Sequence, residues 1–323
     1  MWRLSYVQEW LGWWRNQNAI TRYLPLLISM SYWLILRALG GVYGNQWMMS
    51  FWFLALYYAG PRARMYFKFA VPLLMTGVIY DSQRYFSHFV RSDIHVIEPY
   101  LIERNIFGIM TDAGVRTPNE WFQTHTHWAL DTIAGIAYLT YVAEYVLVAA
   151  YFTFFRKDRP KEVYLLSWGF LLVNVLGFIT YHLYAAAPPW YFSTYGFGPV
   201  PLEVAPNPAG AARFDAFYGV DAFVALYSQS RNVFGAIPSL HAAYPLVIAF
   251  FAFRFKSLRA FSVLFFFAVC FAAVYFNHHY VIDVVLGALY AVVAVVMLLG
   301  WDKLRRARKP ESTCHEQAYS KVA

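Results

Sequence analysis

Charge is what this chain of 323 residues has least of. Asp, Glu, Lys and Arg together make up 14% of it, while 60% is hydrophobic and 21% aromatic. A water-facing surface needs roughly 25–35% charged residues, so an ordinary soluble globular protein is excluded and the bilayer is the solvent. Cysteine is nearly absent too: Cys270 lies in an apolar run and Cys314 in a polar tail, which rules out both a disulfide framework and a CxxC metal site. A cleavable signal peptide is not visible, because Glu9 and Arg15 interrupt the first stretch and the first long apolar run begins only near residue 23. Internal repeats and low-complexity tracts are also missing, so the chain reads as one unit.

What is present is a succession of apolar stretches, at about 23–42, 46–60, 65–86, 130–155, 162–187, 240–255, 258–277 and 279–300. These predict an all-α, polytopic transmembrane helix bundle of eight spans. Six is the alternative, because 46–60 is short for a span and Arg37 and Lys68 flank that hairpin. Ahead of the spans, Trp10, Trp13 and Trp14 share one helical face near Arg3 and Arg15, the pattern of a helix lying in the headgroup layer. The division expected is an interfacial amphipathic helix over 1–22, a transmembrane catalytic domain over 23–300 and a basic cytoplasmic tail over 301–323. The net charge of +8 gathers in alternate loops: Arg62, Arg64 and Lys68; Arg156, Lys157, Arg159 and Lys161; Arg254, Lys256 and Arg259; and the tail from Lys303 to Lys309. Those loops and both termini are therefore expected in the cytoplasm. The same pattern accounts for the charge as topology signal and anionic-lipid contact, leaving no nucleic-acid partner to propose. The long connections 87–129 and 188–238 fall on the other side and form the expected functional face.

Two histidine motifs open onto that face. "PSLH" (238–241) begins the sixth span and "NHHYVID" (277–283) begins the eighth. His279 and Asp283 are four residues apart, so on a helix the carboxylate can hold the ring from one turn deeper. An imidazole fixed at one nitrogen is free at the other to attack phosphorus or take a proton, and a second imidazole opposite can protonate a leaving oxygen. Haem ligation would place histidines in mid-helix, and a membrane di-iron site needs more of them. Proton conduction through a His and Asp pair stays open but leaves the long loops unexplained. His182 and His88 read as satisfied interfacial residues.

"PSLH" followed by HxxxD resembles the second and third motifs of the type 2 phosphatidic acid phosphatase superfamily. The superfamily's KxxxxxxRP motif has no clean counterpart, and its Ser-Arg pair before the nucleophile is Ala272–Ala273. "APPWY" (187–191), "NPAGAARFD" (207–215), "FGAIPSLH" (234–241) and "HHYVID" (278–283) together resemble inositol phosphorylceramide synthases, the aureobasidin-sensitive family and its prokaryotic relatives. "YDSQRYF" (80–86) and "IHVIEPYLIERNIFG" (94–108) are similar to upstream segments of that family, so the likeness covers about residues 80–300.

The resemblance implies a six-helix catalytic core and transfer of phosphoinositol from phosphatidylinositol to ceramide, with diacylglycerol released and neither metal nor other cofactor required. It also implies a phosphohistidine on His279, with His241 as general acid and base and Asp283 orienting His279, at a lumenal or periplasmic mouth. Phosphate would be held by Arg84, Arg213 and Arg231, the arginines of the matching segments away from the cytoplasmic loops. Ser239 counts with them as a substrate-binding candidate. Asp215 is expected to pair Arg213, or else to accept from inositol hydroxyls. Trp190 and Tyr191 are expected to anchor their loop at the membrane interface. His278 receives no role. A lipid phosphate phosphatase of the same chemistry, or a transferase of another phospho-headgroup, is the alternative activity, and the need for an accessory subunit is left open.

Overall fold

The computed structural model describes residues 2–86, 94–156, 159–198, 203–230 and 232–307. The chain opens with α1 (Trp2–Arg15), α2 (Ala19–Ala38), α3 (Gly44–Tyr58) and α4 (Pro61–Phe86). Next come α5 (Ile97–Phe107), a hairpin of β1 (Ile109–Thr111) and β2 (Gly114–Arg116), and α6 (Pro118–Thr124). Two long helices follow, α7 (Trp128–Phe155) and α8 (Pro160–Leu183), and then the short α9 (Pro189–Tyr195), α10 (Ala212–Tyr218) and α11 (Ala222–Tyr227). The chain closes on α12 (Leu240–Phe255), α13 (Arg259–Tyr275) and α14 (Val281–Ala307).

Each of the eight expected apolar stretches is a helix. α2, α7, α8 and α14 are long and apolar enough to cross a bilayer by length and composition. α12 and α13, of 16 and 17 residues, are shorter apolar helices. The protein is an all-α integral membrane protein, and among the described residues its one hairpin of strands sits in a connection. α1 ends at Arg15, and a new helix starts at Ala19 because Asn18 caps it, its Oδ1 accepting from the Thr21 amide at 2.8 Å. α1 packs on the turn between α3 and α4, with the Trp10 indole donating to the Tyr58 carbonyl at 2.7 Å.

α12 lies at the centre, against α7, α8, α13 and α14, while α4 packs along α8. The main core joins Phe152, Leu166, Phe170 and Val173 to Val247, Phe251, Phe255 and Leu298, all essentially without solvent contact. At one end of this bundle the basic turns meet. Arg159 donates to the Arg254 carbonyl, Arg254 pairs with Glu162 at 3.2 Å, and Asp302 holds Lys161 and Arg306. The starts of α12 and α14, with both histidine motifs, lie at the other end.

The connections expected as polar loops are instead folded. Their helices are 6–11 residues long, too short to show through hydrophobic periodicity. One did carry a local signal: Thr117 and Glu120 form a capping box around Pro118, with the Thr117 amide donating to Glu120 Oε2 at 2.7 Å. Three backbone segments then run side by side in parallel. The His95 amide donates to Ala185 O, the Ala186 amide to Phe234 O and the Ala236 amide to Ala186 O, at 2.8, 2.9 and 3.2 Å.

Candidate active site

Ser239 caps α12, its Oγ accepting from the Ala242 amide at 3.4 Å, and its own amide donates to the Asp283 carbonyl at 3.0 Å. Gly287 lies directly over it, where a Cβ would come to 2.1 Å from Ser239 O. This close approach locks the starts of α12 and α14 together and sets His241 Nδ1 at 2.9 Å from His279 Nε2.

His279 Nδ1 is 3.0 Å from the Ala236 carbonyl. A carbonyl only accepts, so Nδ1 carries the proton and Nε2 presents its lone pair. The proton in the bond between the two rings then belongs to His241 Nδ1. Asp283 Oδ2 stands 3.5 Å from the same His279 nitrogen and takes the Tyr280 amide at 2.9 Å. The orienting duty expected of Asp283 alone is thus shared, and the shorter contact is a backbone carbonyl that no residue type announces. That carbonyl is held in place by the parallel backbone of residues 185–187. His241 lies against Tyr138 and Tyr141, each ring centroid 4.6 Å away.

Three further contacts hold the turn before α14. Asn119 donates from Nδ2 to the Val274 and His279 carbonyls at 3.0 and 2.9 Å, and the Trp190 amide donates to Asn277 O at 3.0 Å. Glu103, fully buried on α5, accepts the Val281 and Ile282 amides at 3.0 and 3.1 Å. Burial pushes its carboxyl up to about 7 despite those two donors, with Asp283 adding to the rise. Sequence reasoning missed both residues, because their partners are distant backbone atoms.

His278 faces Tyr227, whose hydroxyl is 3.0 Å from Nδ1. Burial and the adjacent His279 push its pKa down to about 3, so the ring is neutral at physiological pH. His278 lines a cavity of about 100 Å³ with Trp190, Asn207, Asn232, His241 and His279. A second cavity of about 460 Å³ runs inward between α4, α7, α8 and α12. Tyr227, Ser230, Asn232, Gly235 and His241 line both, so the two meet at His241.

The other expected site residues are placed differently. Arg213 pairs with Asp131 at 2.8 Å and lies over the Tyr275 ring, tying α10 to α7 and α13. Asp215 does not pair it. Both of its oxygens cap α11, accepting the Phe223 and Val224 amides at 2.9–3.1 Å, and the buried carboxylate lines neither cavity. Ser239 is wholly buried in its own cap and lines neither of these two cavities. Arg84 is paired with Asp81 and stacked over Tyr43 on α4. Arg231 and His88 lie outside the described residues. Trp190 and Tyr191 are buried with Val96, Ala187 and Phe234 in a small core of their own, not spread at an interface, because the parallel segments need an apolar seat. His182 bonds the Phe178 carbonyl one turn back at 2.9 Å. Among the described residues, no group of three or more His, Cys, Asp or Glu is placed to hold a metal ion.

A family model described as the PAP2 superfamily matches residues 113–297. A phosphoinositol dihydroceramide synthase of Bacteroides thetaiotaomicron is 37% identical over 284 residues, covering 86% of this chain and 90% of that protein. The inositol phosphorylceramide synthase catalytic subunits of Schizosaccharomyces pombe and Saccharomyces cerevisiae are each 27% identical, over 75% and 76% of this chain and 56% and 60% of their own lengths. No solved structure matches the chain. With the superfamily match reaching α7, α8, α12, α13 and α14 and both histidine motifs, and the bacterial likeness running almost end to end, the chain belongs to the PAP2 superfamily and, within it, to the inositol phosphorylceramide synthases.

Proposed function

We propose that the protein transfers phosphoinositol from phosphatidylinositol to a ceramide through a phosphohistidine on His279. The observation that carries this reading is the 2.9 Å contact between His241 Nδ1 and His279 Nε2, with the far nitrogen of His279 already committed to Ala236. A phosphodiester entering between the rings meets a lone pair on one side and a proton on the other. Nε2 forms a bond to phosphorus, the bond to the diacylglycerol oxygen breaks, and the His241 proton goes to that oxygen. In the second step the ceramide hydroxyl gives its proton to His241 and displaces His279 from phosphorus. Two displacements return the original configuration at phosphorus.

The smaller cavity, with its asparagines, indole and neutral His278, suits an uncharged polyol. Arg231 is kept in this reading as the source of phosphate charge on the strength of the sequence resemblance alone. The mouth is on the lumenal or periplasmic side, opposite the basic turns. The names of the bacterial and fungal relatives support the substrates.

Purified protein given headgroup-labelled phosphatidylinositol should release little label alone. With ceramide it should form inositol phosphorylceramide and diacylglycerol in equal amounts. Free inositol phosphate as the main product, unchanged by ceramide, would make the enzyme a lipid hydrolase.

A further inference from the structure

The segment "YDSQRYF" on α4 is distant in sequence from both histidines and takes no part in the phosphoryl transfer itself. Its Tyr80, Asp81 and Gln83 nevertheless face the larger cavity, which His241 also lines. Asp81 is held from the other side by Asn45, Gln46 and Arg84, so this face of α4 is fixed. Gln83 is 5% exposed, yet its Nε2 has no hydrogen-bond partner among the described residues. Its Oε1 has only a long contact, 3.5 Å from Asn232 Nδ2. A buried amide left so nearly unpaired costs free energy unless a ligand completes it.

We infer that Gln83 reads the amide of the acceptor lipid and so makes the enzyme select a ceramide over a glycerolipid. The inference rests on the transferase reading and deepens it. A side-chain amide donates from nitrogen and accepts at oxygen, so Gln83 Oε1 can take the ceramide N–H while Nε2 donates to the hydroxyl oxygen on the adjacent sphingoid carbon, the trans amide's own carbonyl pointing the other way. Ester carbonyls of phosphatidylinositol and diacylglycerol only accept and satisfy half of it. In a ceramide the amide sits one carbon from the carbon bearing the reacting hydroxyl. An amide reader must therefore stand close to the catalytic rings, and Asn232 bridges that gap by touching Gln83 and lining both cavities. Beyond it, Met49, Leu73, Phe170, Phe178 and Leu240 give the chains an apolar wall. A site built to bond an N–H rejects the analogue lacking it, because its own acceptor is then left unpaired.

The test compares ceramide with the analogue whose amide N–H is replaced by an ester oxygen, using purified full-length enzyme and phosphatidylinositol. Wild type should show a kcat/KM about tenfold lower for the ester. Gln83→Met should lower kcat/KM for ceramide to the ester's level through KM, erasing the discrimination while the melting temperature holds. Equal kcat/KM for the two acceptors in wild type overturns the inference without any variant. So does a Gln83→Met loss that is the same for both acceptors, the sign of a merely structural glutamine. Release of inositol phosphate with no product from either acceptor would overturn the transferase reading itself, and this inference with it.

Discussion

The two histidines at the mouth have unequal duties, fixed by what each bonds on its far side. His279 is committed through Nδ1 to a carbonyl, so only its Nε2 can act, and His279→Ala should cost on the order of 10⁴ or more in turnover. His241→Ala, which removes a proton donor and keeps the nucleophile, should cost about 10²–10⁴ and slow both half-reactions. Asp283→Asn should cost only about 10², because the Ala236 carbonyl still sets the tautomer and the asparagine oxygen can still take the Tyr280 amide. Steady-state transfer rates of the purified variants check all three, and near-normal turnover by His279→Ala would end the phosphohistidine proposal. Asp215 shows the limit of reading single residues. Its place two residues from Arg213 suggested an ion pair, but helical geometry points residues i and i+2 apart, and a bare helix start lay closer.

At the scale of elements, the site depends on where α14 begins. Gly287→Ala would drive a methyl into the Ser239 carbonyl, so it should lower stability by about 1–3 kcal/mol and, by parting α12 from α14, lower kcat more than it raises KM. Melting temperature and kinetics on one preparation separate those effects. Glu103 adds a pH dependence. Its folded pKa, about 7, lies above the ordinary 4.5, so between those values the folded chain binds more protons than the unfolded one. Stability from this group is complete below the lower value and is lost as pH rises toward the upper. Glu103→Gln, neutral throughout, should flatten the change in melting temperature between about pH 5 and pH 8; an unchanged slope would assign it to other groups. The long apolar helices were legible because each is a sustained apolar run in the sequence. α5, α6 and α9 to α11 were not, since a helix of two or three turns is stabilised by the neighbours it caps and clamps.

For the whole molecule, the basic turns gather at one end of the bundle and the histidines at the other. Single cysteines placed between residues 203 and 230, with Cys270 and Cys314 replaced, should therefore react with an impermeant reagent from outside the cell or from the lumen. Labelling only after the cytoplasmic face is opened would invert the proposed topology. The sequence by itself determined the membrane setting, the apolar helices and the family, because composition, span length and motif order are local properties written in adjacent residues. It also singled out His241, His279 and Asp283, whose chemistry is carried by side-chain type. Only the tertiary structure decided that Ala236 holds His279, that Glu103 and Asn119 clamp its turn, that Arg213 and Asp215 are tied up elsewhere, and that Gln83 faces the same cavity as His241. Each of those contacts joins a backbone atom or a polar side chain to a group elsewhere along the chain, and such a pairing exists only once the helices have packed.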